Sequence, residues 1–264
     1  LDHDLHFVAV NPAFSQITGY NDVEALGRPF SMLDSDGHSG TLHRDLGRQH
    51  WQGNVWMTRR DGEDILCHVR HNGIADAGGE VNFHVVVLSD ITEQKRAEQE
   101  LRYLANYDTL TSLPNRSLLS ERLARAIVRA RREGGHVAVL FLDLDRFKLV
   151  NDSVGHAVGD ELLIEAGRRI VGTVRGSDMV ARLGGDEYAI LAEGLDGPGM
   201  AEELGRRVLA ALGAPVWIAG RELFPSASIG IAMWHPRYER GEEMLRDADA
   251  AMYRAKGEGS DRCE

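Results

Sequence analysis

Two adjacent glycines followed by two adjacent carboxylates, Gly184, Gly185, Asp186 and Glu187, lie between two apolar runs. The flanking residues alternate as they do in β-strands, so the glycines predict a tight hairpin turn. Glycine lacks a Cβ, which lets the backbone of such a turn approach a bulky, charged ligand. Two carboxylates at the tip suit a hard divalent cation, which prefers oxygen ligands. Taken alone, the same four residues are equally well explained as an acidic hairpin exposed to solvent.

An apolar run, VAVLFL at residues 137–142, precedes two further carboxylates, Asp143 and Asp145. Such a run is typical of a central strand, which would bring Asp143 opposite the hairpin tip. Asp143 and Asp186 would then share a metal ion, and Lys148 would supply a cation for phosphate. Singly, Asp143 is also explained as a strand-end turn residue and Lys148 as a surface charge. Their combination with the hairpin favours a site.

Five motifs, in order along the second half of the chain, resemble the GGDEF domain, the catalytic module of diguanylate cyclases. They are DTLTSLPNR at 108–116, DLDRFKLVND at 143–152, GHAVGD at 155–160, GGDEY at 184–188 and DADAAMYRAK at 247–256. Tyr188 stands where the family usually has Phe. The resemblance implies a mostly antiparallel sheet flanked by helices, similar to polymerase palms and nucleotidyl cyclases. It also implies condensation of two GTP molecules to cyclic di-GMP, with release of two pyrophosphates.

The first part of the chain has a different character, with short apolar stretches separated by turn residues. It predicts strands at 7–10, 53–59, 65–72 and 81–88, with hairpin turns at 60–62 and 77–79. This order resembles a PAS sensory domain, an antiparallel sheet with short helices. The resemblance rests on Asn11, AF at 13–14, TGY at 18–20, WQG at 51–53, RDG at 60–62 and DITEQK at 90–95. We expect the usual first strand to be partly missing, as in a chain truncated at Leu1.

The resulting domain plan is a PAS domain at 1–91, a linker helix at 92–107 and a GGDEF domain at 108–264. In the linker, Ala97, Leu101 and Leu104 form a helical apolar stripe. One interpretation is a solvated helix packed on its own PAS domain, and the other is a two-stranded coiled coil joining two protomers. The resemblance favours the second interpretation, so we expect a homodimer formed through the PAS domain and the linker helix.

The resemblance assigns metal binding to Asp143, Asp186 and the backbone carbonyl of Leu144. It implies two Mg²⁺ ions per active site, with Mn²⁺ as an alternative. The metal ions would bridge the triphosphate and lower the pKa of the attacking ribose 3′-hydroxyl. Asp186 is the family's candidate base, and Glu187 is expected to help position a metal ion or the hydroxyl.

The triphosphate is expected to meet two lysines and a backbone turn. Lys148 and Lys256 would address the β- and γ-phosphates as point charges. The backbone N–H groups of Arg146 and Phe147, at the start of the helix after the apolar strand, would form an anion-binding turn.

Asn151 and Asp160 resemble the pair that reads guanine in this family. An amide and a carboxylate can bond O6 and the N1–H and N2–H₂ edge of guanine, which adenine cannot match. The structural alternatives are a helix C-cap for Asn151 and a helix N-cap for Asp160.

A second pattern, Arg175-Gly176-Ser177-Asp178, lies at the position where the family carries an RxxD product-inhibition site. Arginine can clamp phosphate or stack on guanine, and aspartate can accept from the guanine edge. Arg206 or Arg207, on the following helix, would supply a second arginine from a neighbouring domain. The alternative interpretation of the RxxD pattern is a surface turn.

One departure from the family pattern concerns activity. Ser260 stands where the family usually has a phosphate-binding arginine, and Arg262 is a candidate substitute. A second functional hypothesis is therefore a catalytically weak GTP-binding module that controls a phosphodiesterase EAL domain elsewhere in a longer chain. A third, scaffolding by the PAS domain alone, leaves the retained site residues without a role.

Composition limits the partners and the cofactors. The formal net charge of −11 argues against nucleic-acid binding, and no apolar run is long enough to span a membrane. Two distant cysteines, Cys67 and Cys263, fit a reducing cytoplasm, so we expect a cytosolic protein or the cytosolic part of a larger one. His38 and His43 lie where a haem-binding PAS helix would run, but no further haem pattern accompanies them. Cys67 lies outside any flavin-cysteine motif. We therefore expect neither haem nor flavin, and the PAS ligand stays unknown.

Overall fold

The computed structural model describes residues 1–35, 50–259 and 261–264. His38, His43 and Ser260 lie outside these residues. The chain divides into two compact units, Leu1–Glu100 and Leu101–Glu264. In the described part of the chain, no helix combines the length and the apolar character needed to cross a membrane.

The first unit is a three-stranded antiparallel sheet with short helices. Its elements are α1 (Pro12–Thr18), α2 (Asp22–Ala25), a 3₁₀ helix (Phe30–Leu33), β1 (His50–Thr58), β2 (Asp64–Ala75) and β3 (Val81–Asp90), and the strand order is β1-β2-β3. Side chains on one face of this sheet, such as Met57, Ile65, Cys67 and Val69, are buried in a single core. The PAS-type antiparallel sheet predicted from the sequence is confirmed.

The strand predicted at residues 7–10 was wrong. Phe7 accepts a backbone hydrogen bond from Gly27 and donates one to Arg28, so its backbone is engaged by the loop after α2 instead of a sheet. The Phe7 side chain is buried, with its ring 5.0 Å from that of Phe14 and 5.6 Å from that of Phe30. The apolar character that suggested a strand therefore reflects packing into the core.

The linker helix, α3 (Thr92–Asn106), begins at a set of polar contacts. Asp90 accepts hydrogen bonds from the Thr92 backbone N–H (2.9 Å) and from Arg59 (2.7 Å). The Thr92 hydroxyl accepts from the Leu66 N–H at 2.8 Å, which ties the start of α3 to β2. Further along α3, Leu101 and Leu104 are 68% and 48% exposed.

The second unit contains a four-stranded antiparallel sheet. Its elements are α4 (Arg116–Glu133), β4 (His136–Leu144), α5 (Phe147–Val154), α6 (His156–Thr173), β5 (Met179–Gly184), β6 (Glu187–Leu195), α7 (Pro198–Leu212), β7 (Val216–Ile218), β8 (Arg221–Leu223), β9 (Ala227–Met233) and α8 (Gly241–Gly257). The strand order is β5-β6-β4-β9, and β7 and β8 form a separate hairpin. The predicted helix-flanked antiparallel sheet is confirmed. The β7–β8 hairpin was not predicted, because three residues per strand carry too little periodicity.

Strand β4 is buried on both faces because helices cover both sides of the sheet. One core includes side chains from β4, α6 and α7, and the other includes side chains from β4, α4 and α8. Strand β9 and α8 approach closely at Gly230, where a Cβ would lie 2.0 Å from the Ala248 carbonyl oxygen. Only glycine fits there without moving the helix that carries Lys256.

Tyr188 is buried in the first of these cores, and its hydroxyl donates a hydrogen bond to the Leu163 carbonyl of α6 at 2.7 Å. A phenylalanine at this position would fill the same space without that bond. The hydroxyl therefore joins the strand after the signature glycines to α6.

We predict that Tyr188→Phe lowers the free energy of unfolding by about 1 kcal/mol, because one buried hydrogen bond is lost. Denaturant unfolding of the purified chain measures this change. Tyr253→Phe is the matched control, because Tyr253 is 75% exposed and its replacement should leave the midpoint unchanged. An unchanged midpoint in Tyr188→Phe would contradict the stabilising role of the hydroxyl.

Two stacked histidines lie in the sheet of the first unit. His71 Nε2 and His84 Nδ1 are 2.6 Å apart, and the ring centroids are 4.9 Å apart. His71 is fully buried, and its Nδ1 has no hydrogen-bond partner. Burial lowers the pKa of both histidines.

This pair predicts acid-sensitive stability. Above the unfolded-state pKa of about 6.5 both histidines are neutral in both states, so their packing contributes fully. As the pH falls below that value the unfolded chain binds protons first, so stability falls, by up to about 1.4 kcal/mol per pH unit for each histidine. Thermal unfolding between pH 8 and 5.5 should show the loss. His71→Leu should flatten it, whereas His3→Gln, at an exposed position, should not. An equal slope in wild type and His71→Leu would exclude this origin.

Candidate active site

The signature turn joins β5 to β6 and lies beside the end of β4. Gly184 and Gly185 have φ angles of 138° and 53°, which favour glycine, so the predicted tight turn is observed. Asp143 is paired with Glu187 in the β4–β6 register, and the Leu144 N–H donates to the Asp186 carbonyl at 3.3 Å. Three carboxylates are therefore collected at one end of the sheet.

Asp143 is buried at the end of β4. The Lys256 ammonium lies 2.6 Å from its Oδ1, so the buried carboxylate is paired with a lysine. Burial raises the pKa of Asp143, the charge of Asp186 adds to the rise, and Lys256 opposes it. The sequence assigned Lys256 to phosphate, and in the structure it is paired with the candidate metal ligand.

Glu187 is half-buried beside the same acidic group. Its Oε2 lies 3.5 Å from an Arg116 guanidinium nitrogen. Burial raises the pKa of Glu187, and the charges of Asp143, Asp249 and Asp186 add to the rise against the opposing charge of Arg116. The cluster therefore favours an added cation, which would relieve the repulsion between its carboxylates.

In the part of the chain that the structure describes, no three His, Cys, Asp or Glu side chains converge as a complete metal cage. The carboxylates that fit a hard cation are Asp143 and Asp186, because Asp143 is buried at the end of β4 and the charge of Asp186 contributes to the raised pKa of its carboxyl. Mg²⁺ commonly takes one or two carboxylates and completes its shell with waters and substrate phosphates. An incomplete protein ligand set is compatible with that behaviour.

The start of α5 faces outward from the end of β4. Arg146 adopts a left-handed conformation, with φ 58°, and α5 begins at Phe147. The first N–H groups of a helix have no partner within the helix, so this turn retains free donors. Lys148 is exposed, and within the described ranges it forms no ion pair.

Asn151 of α5 and Asp160 of α6 differ in burial. Asn151 Oδ1 is buried without a hydrogen-bond partner, and a Cβ on Gly159 would lie 1.9 Å from it. Asp160 is exposed. Helix α5 ends with Gly155 as its cap and α6 begins at His156, so neither residue is a helix cap. The capping alternatives for both residues were wrong.

Two contacts near the turn were not predicted. Asp145, the second carboxylate after β4, accepts hydrogen bonds from Ser226 Oγ (3.0 Å) and Ser228 Oγ (2.8 Å), which join it to β9. Arg182, in β5, donates to the Gly185 carbonyl and to Asp108. The only sequence signal for Arg182 was its position directly ahead of the signature turn.

The RxxD segment forms a turn in which Asp178 Oδ2 accepts from the Arg175 N–H at 3.0 Å. A cavity of about 80 Å³ is lined by Arg175, Asp178 and Arg207. Arg206 does not line it and is paired with Glu203 at 2.7 Å. Within this chain, Arg207 therefore lies beside the RxxD turn, and an arginine contributed by a neighbouring domain stays a prediction.

The candidate substitute for the family's terminal arginine is already engaged. An Arg262 guanidinium nitrogen lies 2.8 Å from the Glu258 carboxylate and 3.1 Å from the Glu258 carbonyl oxygen. Reaching a phosphate would require Arg262 to leave these contacts.

Comparison with known proteins agrees with the fold and the motifs. Residues 105–262 match the family described as "Diguanylate cyclase, GGDEF domain", and residues 1–93 match a PAS domain. The diguanylate cyclase TpbB of Pseudomonas aeruginosa is 40% identical over 208 residues, which cover 76% of this chain and 48% of the relative. The same organism's bifunctional diguanylate cyclase/cyclic di-GMP phosphodiesterase MucR is 47% identical over 168 residues, 64% of this chain and 24% of the relative.

Solved structures give the same result. The crystal structure of the TpbB GGDEF domain aligns with a TM-score of 0.57 at 41% identity, over 58% of this chain and 96% of that one. The coiled coil and GGDEF domain of DgcB from Caulobacter crescentus, in complex with c-di-GMP, aligns with a TM-score of 0.60 at 25% identity, over 66% of this chain and 92% of that one. This chain spans about a quarter of the length of MucR and about half that of TpbB. It belongs to the GGDEF family of diguanylate cyclases and carries a PAS domain ahead of its GGDEF domain.

Proposed function

We propose that this chain condenses two GTP molecules to cyclic di-GMP and releases two pyrophosphates. The observation that carries the proposal is the buried Asp143 beside Asp186 at the signature turn, with a raised pKa that a cation would reverse. Family membership and the relative named diguanylate cyclase support the same activity.

Asp143, Asp186 and the backbone carbonyl of Leu144 would hold two Mg²⁺ ions, with Mn²⁺ as the alternative. When bound, these ions neutralise the triphosphate and acidify the attacking 3′-hydroxyl. Asp186 is the candidate base, and Glu187, held by Arg116, helps to orient the hydroxyl. Metal binding needs ionised carboxylates, and a bound cation would lower the raised pKa values of Asp143 and Glu187.

The exposed Lys148 and the free N–H groups of Arg146 and Phe147 would bind the β- and γ-phosphates. Lys256 reaches the same region from α8, because its ammonium lies at Asp143. These local cations matter because the whole chain is acidic and would otherwise repel a triphosphate.

Guanine would be read by Asn151 and Asp160. The Asn151 Oδ1 atom is buried and lacks a partner, so a ligand donor such as the guanine N1–H or N2–H₂ would satisfy it. Adenine offers a different edge and would leave that atom unpaired, which disfavours ATP.

Each GGDEF unit would supply one half-site, so turnover requires two chains. The exposed Leu101 and Leu104 of α3 suit a coiled-coil contact between protomers, and the PAS domain would regulate how often the half-sites meet.

A second candidate function is a GTP-binding module that regulates a phosphodiesterase domain. Two observations favour it: the family's terminal arginine is replaced by Ser260, and MucR is named as both a cyclase and a phosphodiesterase. Product formation separates the two candidates, because a purely regulatory module binds GTP without producing cyclic di-GMP.

We predict that wild-type protein incubated with GTP and Mg²⁺ forms cyclic di-GMP, and that Asp186→Asn lowers the rate at least about 10²-fold. The substitution removes a carboxylate that no neighbour replaces. Chromatography of the nucleotides measures the rate. Asp196→Asn is the matched control, because Asp196 follows the opposite end of β6, and it should retain wild-type turnover. Wild-type turnover in Asp186→Asn would refute the catalytic assignment.

We further propose that cyclic di-GMP inhibits the enzyme at Arg175 and Asp178, with Arg207 as the additional arginine. Arg175→Ala and Arg207→Ala should each raise the inhibition constant about 10-fold or more while leaving the initial rate nearly unchanged. Arg206→Ala, which removes a neighbouring arginine paired with Glu203, should keep wild-type inhibition. Calorimetric titration with cyclic di-GMP provides the affinities. Equal affinity in wild type and Arg175→Ala would rule out this site.

A further inference from the structure

Arg182 connects the signature turn to a distant part of the chain. Its side chain is 9% exposed. Nε and Nη2 donate to the Gly185 carbonyl at 3.1 and 2.7 Å, and Nη1 donates to Asp108 Oδ1 at 2.8 Å. One guanidinium therefore holds two segments together, the turn itself and the loop that follows α3.

The Gly185 carbonyl belongs to the peptide unit that also contains the Asp186 nitrogen. Because a peptide unit is planar, holding this carbonyl sets the direction in which the chain enters Asp186. The turn needs such a restraint, because its two glycines have many accessible conformations and no side chain to pack. Arg182 supplies a bidentate restraint from the neighbouring strand.

Asp108 is well suited to anchor the arginine. Its Oδ1 also accepts from the Thr111 N–H (2.9 Å) and the Thr111 hydroxyl (2.7 Å). Burial alone would raise the pKa of Asp108, but the hydrogen bonds from Thr111 and Arg182 outweigh it and lower the pKa. An ionised Asp108 therefore balances the charge of a guanidinium that is removed from water.

The segment that contains Asp108 is also hydrogen-bonded to the last turn of α3. Asn115 donates from its backbone N–H to the Asn106 carbonyl (2.8 Å) and from its side chain to the Ala105 carbonyl (3.0 Å). The Arg182 N–H donates to the Pro114 carbonyl at 2.9 Å. Hydrogen bonds thus lead from the end of the linker helix to the peptide unit before Asp186.

We propose that Arg182 is a positioning residue for the cyclase reaction, which orients Asp186 through the Gly185 carbonyl and is itself anchored by Asp108. This inference rests on the proposed function, because it assigns a role in the rate of that reaction. Arg182 does not contact the substrate in this proposal, so its loss should affect turnover more than GTP binding.

The test compares kcat with GTP affinity in Arg182→Lys. Lysine keeps the charge beside Asp108 but cannot form the two-pronged contact with Gly185. We expect kcat to fall about 10- to 100-fold, because small misplacements of a reacting group have effects of that size. The Kd for GTP, measured by calorimetry without turnover, should change less than about threefold. Arg129→Lys is the matched control, because Arg129 pairs with Glu193 near the other end of β6, and it should retain wild-type kcat.

Asp108→Asn provides a second variant where Arg182→Lys does not fold, since it keeps the shape of the side chain and removes only the charge. It should lower kcat in the same way, and combining the two changes should add little, because both act on one unit. Wild-type kcat in either folded variant, or a loss of GTP affinity equal to the loss of kcat, would overturn the inference. Absence of cyclic di-GMP from the wild-type protein would instead refute the proposed function.

Discussion

The pairing of β4 on both of its edges is the constraint on which the candidate site depends. Residues 137–144 are buried, with β6 on one edge and β9 on the other. A shift of one residue would exchange the two faces and turn Asp143 toward the core that Leu140 and Leu142 fill, so the cost of burying that carboxylate among apolar side chains holds the register. That register sets Asp143 beside Glu187 and the Leu144 N–H on the Asp186 carbonyl. Apolar packing therefore determines where the acidic groups meet.

Electrostatics at this end of the sheet is a balance between concentrated carboxylates and a few cations. Lys256 lies on Asp143, and Arg116 lies near Glu187, yet burial and mutual repulsion still raise the pKa of both carboxyls. In β5, just before the turn, the Arg182 guanidinium donates hydrogen bonds to Asp108 and to the Gly185 carbonyl. The pKa values of Asp143 and Glu187 stay raised despite their partners, so an additional cation would stabilise both carboxylates. The pKa of Asp108, by contrast, is lowered by its hydrogen bonds from Thr111 and Arg182. That contrast separates groups suited to bind a cationic ligand from groups suited to hold the backbone.

The sheet of the first unit differs from that of the second in how it is buried. It exposes one face and buries the other, and its core includes a fully buried polar residue, His71, paired with His84. The exit from the sheet into α3 is held by Asp90, Thr92 and Arg59. These bonds join the start of the linker helix to β2.

Apolar periodicity and glycine turns are local signals, so they predicted the buried strand β4 and the signature hairpin of the second unit, but not the short β7–β8 hairpin. The sequence also grouped Asp143 and Asp186 as one site before any contact was known. The strand predicted at residues 7–10 was wrong, because the apolar Phe7 packs into the core and the residues that bury it are distant in the chain. The pairs of charges that meet could not be predicted from the sequence: the Lys256 ammonium contacts Asp143, and Arg182 donates a hydrogen bond to Asp108, which lies 74 residues away. Side-chain pairing of this kind depends on how helices and strands pack, which no local pattern in the chain specifies.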